Sequence, residues 1–280
     1  MILIADSGSS KTDWRLIEDK KVLQFECKGL NPDFQSPDTV EKEVLSVFDR
    51  QLASQVSVLY FYGSGCSSAS RNKVIEDGLH PVFINAEIHV EHDLLGAARA
   101  ACGNEAGIAG ILGTGSNCCL FDGSQISREY RTGGYIIGDE GGGVDIGKRI
   151  LKAFIEDYMP LGLREKFNAR YQLSVDDILE NLYKKPTPNR FVASFARFAF
   201  HHREDPFVAE LIHDSFEKYF DNQVARHKGT DDLQLSLVGS IAFYFQEFIR
   251  KVGQEKGVVI GNILEKPISG LTLYHCSISD

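Results

Sequence analysis

The chain has 280 residues, of which 43% are hydrophobic and 10% aromatic, and its formal net charge at pH 7 is −9. This length exceeds the usual single hydrophobic core and the apolar content excludes a largely disordered protein, so two folded domains are expected. The acidic balance argues against a surface for nucleic acid or for an anionic membrane. The apolar start before Asp6 carries no basic segment, and no apolar run approaches the ~18 residues of a membrane helix. We therefore expect no signal peptide, no membrane span and a cytoplasmic location.

The first hundred residues alternate between strand and helix patterns. A Ser-Pro-Asp sequence at 36–38 is typical of a helix start. Taken in order, the patterns predict strands at 1–5, 13–17 and 21–27, a helix at 39–53, a strand at 56–62, a helix at 68–78, a strand at 88–91 and a helix at 93–102.

After Gly103 a similar series begins again. It predicts strands at 106–112, 117–121 and 126–130, a long helical region from 144, helices over 161–227 with a break at 185–188, a strand at 234–238, a helix at 241–251 and a strand at 258–261. Two copies of a mixed-sheet unit, the second with a helical insertion, indicate an α/β protein with a cleft between two domains. No low-complexity linker separates them, so the boundary near residue 103 is expected to be a hinge.

Two Gly/Ser turns follow apolar strands about a hundred residues apart. The first is Asp6–Ser10 and the second is Gly113–Ser116. Backbone amides in such turns can approach an anion closely, and the hydroxyl groups add donors. Either turn alone could be a simple hairpin connection. Their repetition favours two loops that bind one phosphate-bearing ligand.

The six cysteines show no Cys-x-x-Cys spacing, which argues against a zinc knuckle or a redox pair. Cys118 and Cys119 fall within a predicted strand, where adjacent side chains point to opposite faces of the sheet. We expect the cysteines to be small core residues.

Several motifs spread over nearly the whole chain resemble those of one protein family. They are DSGSSKTD at 6–13, GLNPDF at 29–34, HDLLGA at 92–97, GTGSN at 113–117, GGYIIGDEGGG at 133–143, VGSIA at 238–242 and ISGLTLYH at 268–275. The combination of GTGSN with the two glycines and GDEG is specific. It resembles the BadF/BadG/BcrA/BcrD ATPase family, which includes the eukaryotic-type N-acetylglucosamine kinases and the activators of benzoyl-CoA reductase and 2-hydroxyglutaryl-CoA dehydratase, within the actin/Hsp70/sugar-kinase superfamily.

The resemblance implies an α/β fold of two ribonuclease H-like domains, the actin-like ATPase fold, with mixed five-stranded sheets and an interdomain cleft. The first domain would span 1–103 and the second 104–280 with the helical insertion, and the last segment could also pack back on the first domain. The implied activity is ATP- and Mg²⁺-dependent phosphorylation of a hydroxyl of an amino sugar, N-acetylglucosamine before others. Small molecules are the implied partners, with a homodimer left open.

The resemblance also assigns nucleotide-binding residues. Asp6 would lie near the Mg²⁺ of the nucleotide, Gly8–Ser10 would wrap its phosphates, Thr12 would stabilise the turn and VGSIA would contact adenosine. A strand-end cap is the alternative role for Asp6. The full nucleotide set is Asp6, Gly8, Ser9, Ser10, Lys11, Thr12, Gly113, Thr114, Gly239 and Ser240.

Asp93 is the expected catalytic base. It follows a short strand, opens an Ala/Gly-rich helix and matches the aspartate that is catalytic in the family. A sugar hydroxyl is too weak an acid to ionise first, so a carboxylate must orient it and accept its proton as the P–O bond forms. The alternative role for Asp93 is that of a helix N-cap. His92 beside it is expected to be a packing or hydrogen-bonding partner.

The residues that match sugar contacts of the kinases are Asn31, Asp93, Ser116, Asn117, Gly134, Tyr135 and Asp139. Hydroxyl-rich ligands need paired donors and acceptors, and an aromatic ring often covers an apolar sugar face. The kinases have Trp after the two glycines and a longer stretch before GDEG, whereas this chain has Tyr135. Asn31 could instead form an Asx turn, and Asp139 could be a charge at a helix start.

Two other functions stay open from the sequence. An activator of a dehydratase or reductase would use the same ATP fold but would hold an iron–sulfur cluster on cysteines. A sensor gated by nucleotide or sugar would bind without catalysis. Retention of Asp6, Asp93 and Asp139 argues against the sensor, because a pure binder need not keep a base.

Overall fold

A computed structural model describes residues 1–8, 10–19, 21–227 and 232–278. The contacts divide the chain into two compact units. Unit 1 comprises Met1–Glu105, Gly123–Gln125 and Lys266–Asp280, and unit 2 comprises Ala106–Asp122 and Ile126–Glu265. Within the described ranges, no helix combines the length and the apolar character that a membrane span requires.

The first part of unit 1 is a five-stranded sheet with helices. Its elements are β1 (Ile2–Ser7), β2 (Lys11–Glu18), β3 (Lys21–Lys28), α1 (Pro37–Leu45), α2 (Arg50–Ala53), β4 (Val58–Gly63), α3 (Ala69–Leu79), β5 (Glu87–His92) and α4 (Asp93–Cys102). The strand order is β3-β2-β1-β4-β5, with β1, β2 and β3 antiparallel and with β4 and β5 parallel to β1. The central strand β1 is buried along its apolar run, as expected for a strand with both faces covered.

The prediction of one helix over 39–53 is wrong, because the chain breaks it to bury an aromatic side chain. Phe48, between α1 and α2, is fully buried, and its ring centroid lies 5.3 Å from that of Trp14. Asp49 then restarts the helix, since its carboxylate accepts a hydrogen bond of 2.7 Å from the Leu52 amide. Burial of an aromatic ring and the new N-cap both stabilise the break.

Unit 2 contains the second five-stranded sheet and most of the helices. Its elements are β6 (Gly107–Leu112), β7 (Ser116–Phe121), β8 (Ile126–Glu129), α5 (Gly134–Ile137), α6 (Gly143–Ile155), α7 (Leu161–Tyr171), α8 (Val175–Tyr183), α9 (Pro188–Ser194), α10 (Ala196–His201), α11 (Pro206–Asn222), the 3₁₀-helix Val224–Arg226, β9 (Leu235–Val238), α12 (Ser240–Tyr244), α13 (Gln246–Lys256) and β10 (Ile260–Leu264). The strand order is β10-β9-β6-β7-β8. The predicted helix at 241–251 is two helices, divided at the buried Phe245.

The helical insertion of unit 2 has an aromatic core. Phe167 on α7 packs on Phe154 of α6, with ring centroids 4.3 Å apart, and on Phe195, 5.6 Å away. Both sheets mix parallel and antiparallel strands, so the expected α/β class with mixed five-stranded sheets is confirmed. None of the six cysteines, all of which lie in the described ranges, forms a disulfide.

The last helix, α14 (Pro267–Ile278), belongs to unit 1 and packs on α4. The Tyr62 hydroxyl joins the two helices, because it receives a hydrogen bond of 2.8 Å from Arg99 Nη1 and lies 2.8 Å from His275 Nε2. Burial, with the nearby Arg99 charge, lowers the pKa of His275 to about 4, so the imidazole is neutral at pH 7. Gly270 sets the helix spacing, since a Cβ there would overlap the Ala100 carbonyl oxygen.

Replacing Gly270 by alanine should destabilise unit 1. Alanine favours a helix, but its methyl group would force α14 away from α4, and overpacking of this kind costs about 1–3 kcal/mol. We expect a lower denaturant midpoint for Gly270→Ala. Leu273→Ala on the same helix, where the leucine is 73% exposed, is the control and should leave the midpoint nearly unchanged. A Gly270→Ala midpoint at or above that of the wild type would contradict the close packing of α14 on α4.

Candidate active site

Asp6 lies at the end of β1, in the centre of the sheet of unit 1. Its Cα partner across the hairpin is Asp13 on β2. Burial first, and then the charges of Asp93 and Asp13, raise the pKa of Asp6 to about 7, while the charge of Lys266 acts in the opposite direction. The charges of Asp13 and Asp93 therefore disfavour the ionised form of Asp6.

Asp13 holds two lysines that come from different parts of the chain. Lys11 Nζ lies 3.2 Å from Asp13 Oδ1 and 2.5 Å from Glu26 Oε2, and Lys266 Nζ lies 3.4 Å from Asp13 Oδ2. The sequence motifs assign Lys11 to the nucleotide, but they assign no role to Asp13 or Lys266. Asp13 could have been found, because a hairpin with this turn places it opposite Asp6. No local signal indicates Lys266, which lies 253 residues further along the chain.

The turn between β1 and β2 is open to a ligand at its tip and closed at its base. Gly8 and Ser10 are exposed, and the Gly8 amide donates to the Lys11 carbonyl at 3.0 Å. Ser9 lies outside the described residues. Thr12 is completely buried, and its hydroxyl lies 2.8 Å from Ser7 Oγ and donates to a backbone carbonyl of β3. Thr12 therefore supports the turn and offers no side-chain surface to a ligand.

Asn31 follows β3 and lies close to the same turn. Its Oδ1 accepts a hydrogen bond of 2.9 Å from the Asp33 amide, which is the geometry of an Asx turn. The preceding residue, Leu30, bonds through its amide to the Ser7 hydroxyl at 2.9 Å. The Asx turn, which the sequence offers as an alternative role for Asn31, is thus present. It fixes the position of the Asn31 side-chain amide.

Asp93 is the first residue of α4, directly after β5. The N-cap position is held by His92, so the N-cap alternative for Asp93 is wrong. His92 Nε2 lies 3.1 Å from Asp93 Oδ1, and both side chains are about one quarter exposed, at 24% and 28%. The positive end of the helix favours the ionised carboxylate. Asp93 is therefore oriented by a neighbouring imidazole and remains accessible.

The turn between β6 and β7 in unit 2 is held by the start of α6. The Gly143 amide donates to the Gly113 carbonyl at 2.8 Å, and the Val144 amide donates to the Thr114 carbonyl at 2.9 Å. Gly115 lies against the Asp139 carboxylate, and a Cβ there would overlap it. Only glycine fits at this position.

Asp139 has the backbone and environment of a site residue. Its φ is +61°, a strained region for a non-glycine residue. Burial raises the pKa of Asp139, and a hydrogen bond from the Ser116 amide partly offsets that rise. Ser116 also accepts a hydrogen bond of 2.7 Å at its hydroxyl from Gln223 Nε2, a contact that the sequence analysis missed.

The other residues assigned to the sugar differ in accessibility. Asn117 Oδ1 accepts from the Cys118 amide at 2.9 Å, and its Nδ2 donates to Glu129 at 3.3 Å. Gly134, with φ of +62°, opens the short helix α5, on which Tyr135 is 38% exposed. Lys148 Nζ donates to the Tyr135 carbonyl at 3.2 Å, which fixes this turn above α6.

Ser240, which directly follows Gly239, lines a cavity of about 430 Å³ within unit 2. Gly239 has φ of +124°, and a Cβ there would overlap the Leu112 carbonyl oxygen, so glycine is required. The cavity is lined by Ala193, Ser194, Ala196, Arg197, Phe200, His201, Ser240, Ile241, Tyr244 and Phe245. Aromatic walls with one guanidinium and one imidazole suit a flat heterocycle.

Comparisons with known proteins identify a family and several related structures. A sequence model of the BadF/BadG/BcrA/BcrD ATPase family matches residues 5–270. A crystal structure from Porphyromonas gingivalis, described as a candidate N-acetylglucosamine kinase, has 40% identity over all of both chains and a TM-score of 0.94. One from Chromobacterium violaceum with the same description has 19% identity, 98% coverage of each chain and a TM-score of 0.77, which indicates the fold alone. An N-acetylmuramic acid/N-acetylglucosamine kinase of Clostridium acetobutylicum is 27% identical over 69% of this chain and 67% of its own.

The raised pKa of Asp6 predicts how stability depends on pH. The folded protein holds this proton up to about pH 7, whereas the ordinary pKa is 3.8. Between these values the unfolded chain ionises Asp6 and the folded protein does not, so the free energy of unfolding should fall as the pH rises, by at most about 1.4 kcal/mol per pH unit. Below pH 4 and above pH 7 the contribution is constant.

Denaturant titrations of the ligand-free protein between pH 4 and pH 8 test this. Asp6→Asn should remove that part of the slope, whereas Asp38→Asn, which changes an exposed carboxylate of the same unit, should keep it. Parallel curves for the wild type and Asp6→Asn would show that Asp6 titrates alike in both states.

Proposed function

We propose that this chain, which belongs to the BadF/BadG/BcrA/BcrD ATPase family, is an ATP-dependent kinase that phosphorylates a hydroxyl of an amino sugar, with N-acetylglucosamine as the first candidate. The observation that carries the proposal is Asp93, an accessible carboxylate at the start of α4 that interacts with Asp6 at the end of β1. The 40% identity with the Porphyromonas gingivalis structure supports the choice of sugar.

Asp93 acts as the general base in this mechanism. It accepts a hydrogen bond from the sugar hydroxyl and takes the proton as the oxygen bonds to the γ-phosphorus and the bond from that phosphorus to ADP breaks. Its position at a helix N-terminus favours the ionised carboxylate, and the His92 contact at 3.1 Å limits its rotation. Orientation by these two features contributes to the rate because it makes the reaction effectively unimolecular.

Asp6 would hold Mg²⁺. Carboxylate oxygens are the ligands that this ion prefers, and a divalent cation would relieve the repulsion that the charges of Asp13 and Asp93 exert on Asp6. When bound, Mg²⁺ would supply positive charge against the phosphate oxygens. The amides of Gly8, Ser9 and Ser10 would bind those oxygens, with Gly113 and Thr114 as the second phosphate-binding turn.

The adenosine of ATP would bind at the cavity of unit 2 beside Gly239 and Ser240. Its volume of about 430 Å³ falls in the range of small-molecule sites. The Phe200 and Tyr244 rings contact each other edge to face, with centroids 5.5 Å apart, so one of them can cover one face of a purine. Arg197 can stack on the purine or bind its acceptors. The net charge of the protein, −9, disfavours binding of an anion such as ATP, and contacts of the adenosine in this cavity would offset that effect.

The sugar would be bound by polar groups that their own neighbours already orient. Asp139 and Asn117 offer acceptors and donors for hydroxyl groups, and exposed Tyr135 offers a ring face. The proposed sugar contacts are Asn31, Asp93, Ser116, Asn117, Gly134, Tyr135 and Asp139. Since Tyr135 replaces the tryptophan of the kinases, the sugar has to be tested rather than transferred from relatives.

The function is tested by ADP release across a panel of acceptors. The panel contains N-acetylglucosamine, N-acetylmuramic acid, N-acetylmannosamine, glucose and a blank without sugar, each with ATP and Mg²⁺. A kinase should release ADP in step with sugar phosphate and only slowly in the blank, because water is poorly held where a sugar hydroxyl is oriented. Sugar-independent turnover by a brown, anaerobically purified protein would favour the activator, and binding without turnover would favour the sensor.

Asp93→Asn should lower kcat by roughly 10²- to 10⁴-fold, the range for loss of a positioned proton acceptor, and should leave KM for ATP and sugar nearly unchanged. The amide keeps the size of the side chain but cannot accept the proton. Steady-state kinetics measure both constants, with Asp38→Asn as a variant that should behave as the wild type. Normal turnover of Asp93→Asn would remove this residue from the mechanism.

A further inference from the structure

We propose that Lys266 is a phosphate-binding residue of the nucleotide site in unit 1. The inference rests on the proposed kinase function and adds to it a residue that no sequence motif indicates. Lys266 directly precedes α14, at the point where the chain passes from unit 2 into unit 1. The C-terminal segment would thus contribute to catalysis besides packing on α4.

The position of Lys266 is the first reason. Its Nζ lies 3.4 Å from Asp13 Oδ2, and Asp13 is the cross-strand partner of Asp6. The turn that follows Asp6, with the exposed Gly8 and Ser10, connects these two strands. Lys266 therefore lies at the same hairpin whose turn we assign to the phosphates of ATP.

The second reason is that the two lysines on Asp13 are held differently. Lys11 is held by both Asp13, at 3.2 Å, and Glu26, at 2.5 Å. Lys266 pairs with Asp13 at a longer distance, 3.4 Å, and 52% of its side chain is exposed. An ammonium group has three donors, so Lys266 can keep Asp13 and still donate to a phosphate oxygen. Lys11 already has two carboxylate partners at shorter distances, so its ammonium group has fewer donors left for a phosphate than that of Lys266.

The third reason is electrostatic. A nucleotide brings several negative charges to a unit in which the charges of Asp13 and Asp93 already act on Asp6. A lysine on the same hairpin reduces that repulsion, and as a compact point charge it suits a phosphate oxygen. The competing interpretation is that Lys266 only neutralises Asp13 and fastens the start of α14. The two interpretations differ in whether removing the charge affects phosphate-bearing ligands selectively.

Titration calorimetry with ATP, ADP and adenosine, each with and without Mg²⁺, separates the two interpretations. Lys266→Gln should weaken ATP and ADP about ten- to hundredfold, the loss expected for one charge-assisted hydrogen bond, and should leave adenosine unchanged. Lys266→Arg should retain most of the affinity. Lys73→Gln, which removes an exposed lysine paired with Asp77 in the same unit, is the matched control and should bind as the wild type.

A second measurement needs no variant. Acylation of lysines in the wild-type protein, followed by mass spectrometry, should show that ATP protects Lys266 severalfold and that adenosine does not, while Lys73 reacts equally in all cases. Unchanged ATP affinity in Lys266→Gln, or equal losses for ATP and adenosine, would overturn the inference while the kinase stands. Wild-type protein that binds no ATP would overturn the proposed function and this inference together.

Discussion

The constraint on which unit 1 depends is the partial burial of the Asp6 carboxylate beside two others. The hairpin register brings Asp13 opposite Asp6, and the β5–α4 junction brings in Asp93. Removing a carboxylate from water already disfavours its charge, and like charges add to that cost. A cation bound at Asp6 would offset this cost, which is the role that we propose for Mg²⁺ at the nucleotide. The protein thus carries local instability where its ligand would remove it.

The corresponding constraint in unit 2 is that the backbone at Gly115 lies very close to the Asp139 carboxylate. Gly115 leaves no room for a side chain because Asp139 lies against it, and Gly142 packs on the Gly115 backbone in turn. The strained φ of Asp139 persists because hydrogen bonds from α6 to the Gly113–Thr114 turn hold both segments together. Glycines in this region therefore reflect steric necessity. Their spacing in the sequence is informative for the same reason, since no other residue fits the geometry.

The sequence predicts the sheets well because strand patterns and turn chemistry are local. The split between α1 and α2 could not be predicted, because it depends on the burial of Phe48 against Trp14 on a distant strand. Asp6 and Asp93 can be predicted as site residues because each lies at the end of a predicted strand. Lys266 could not be found that way, because its relation to Asp13 arises only when the chain returns to unit 1 after 253 residues. Local sequence patterns thus locate the carboxylates of the site, Asp6 and Asp93, but do not locate the lysine, Lys266, that pairs with Asp13.

The rival functions differ in what they ask of the same residues. An iron–sulfur activator needs thiolates at an accessible loop, but Cys66 is buried and burial raises its pKa to about 12, while Cys118 and Cys119 point to opposite faces of β7. A sensor needs binding groups alone, so it gains nothing from a second carboxylate that raises the pKa of Asp6. For a kinase the same carboxylate is the proton acceptor, and the repulsion it causes is the cost of placing a base beside a metal-bound phosphate. The kinase that we propose would use both carboxylates, Asp6 toward the metal-bound phosphates and Asp93 toward the sugar hydroxyl.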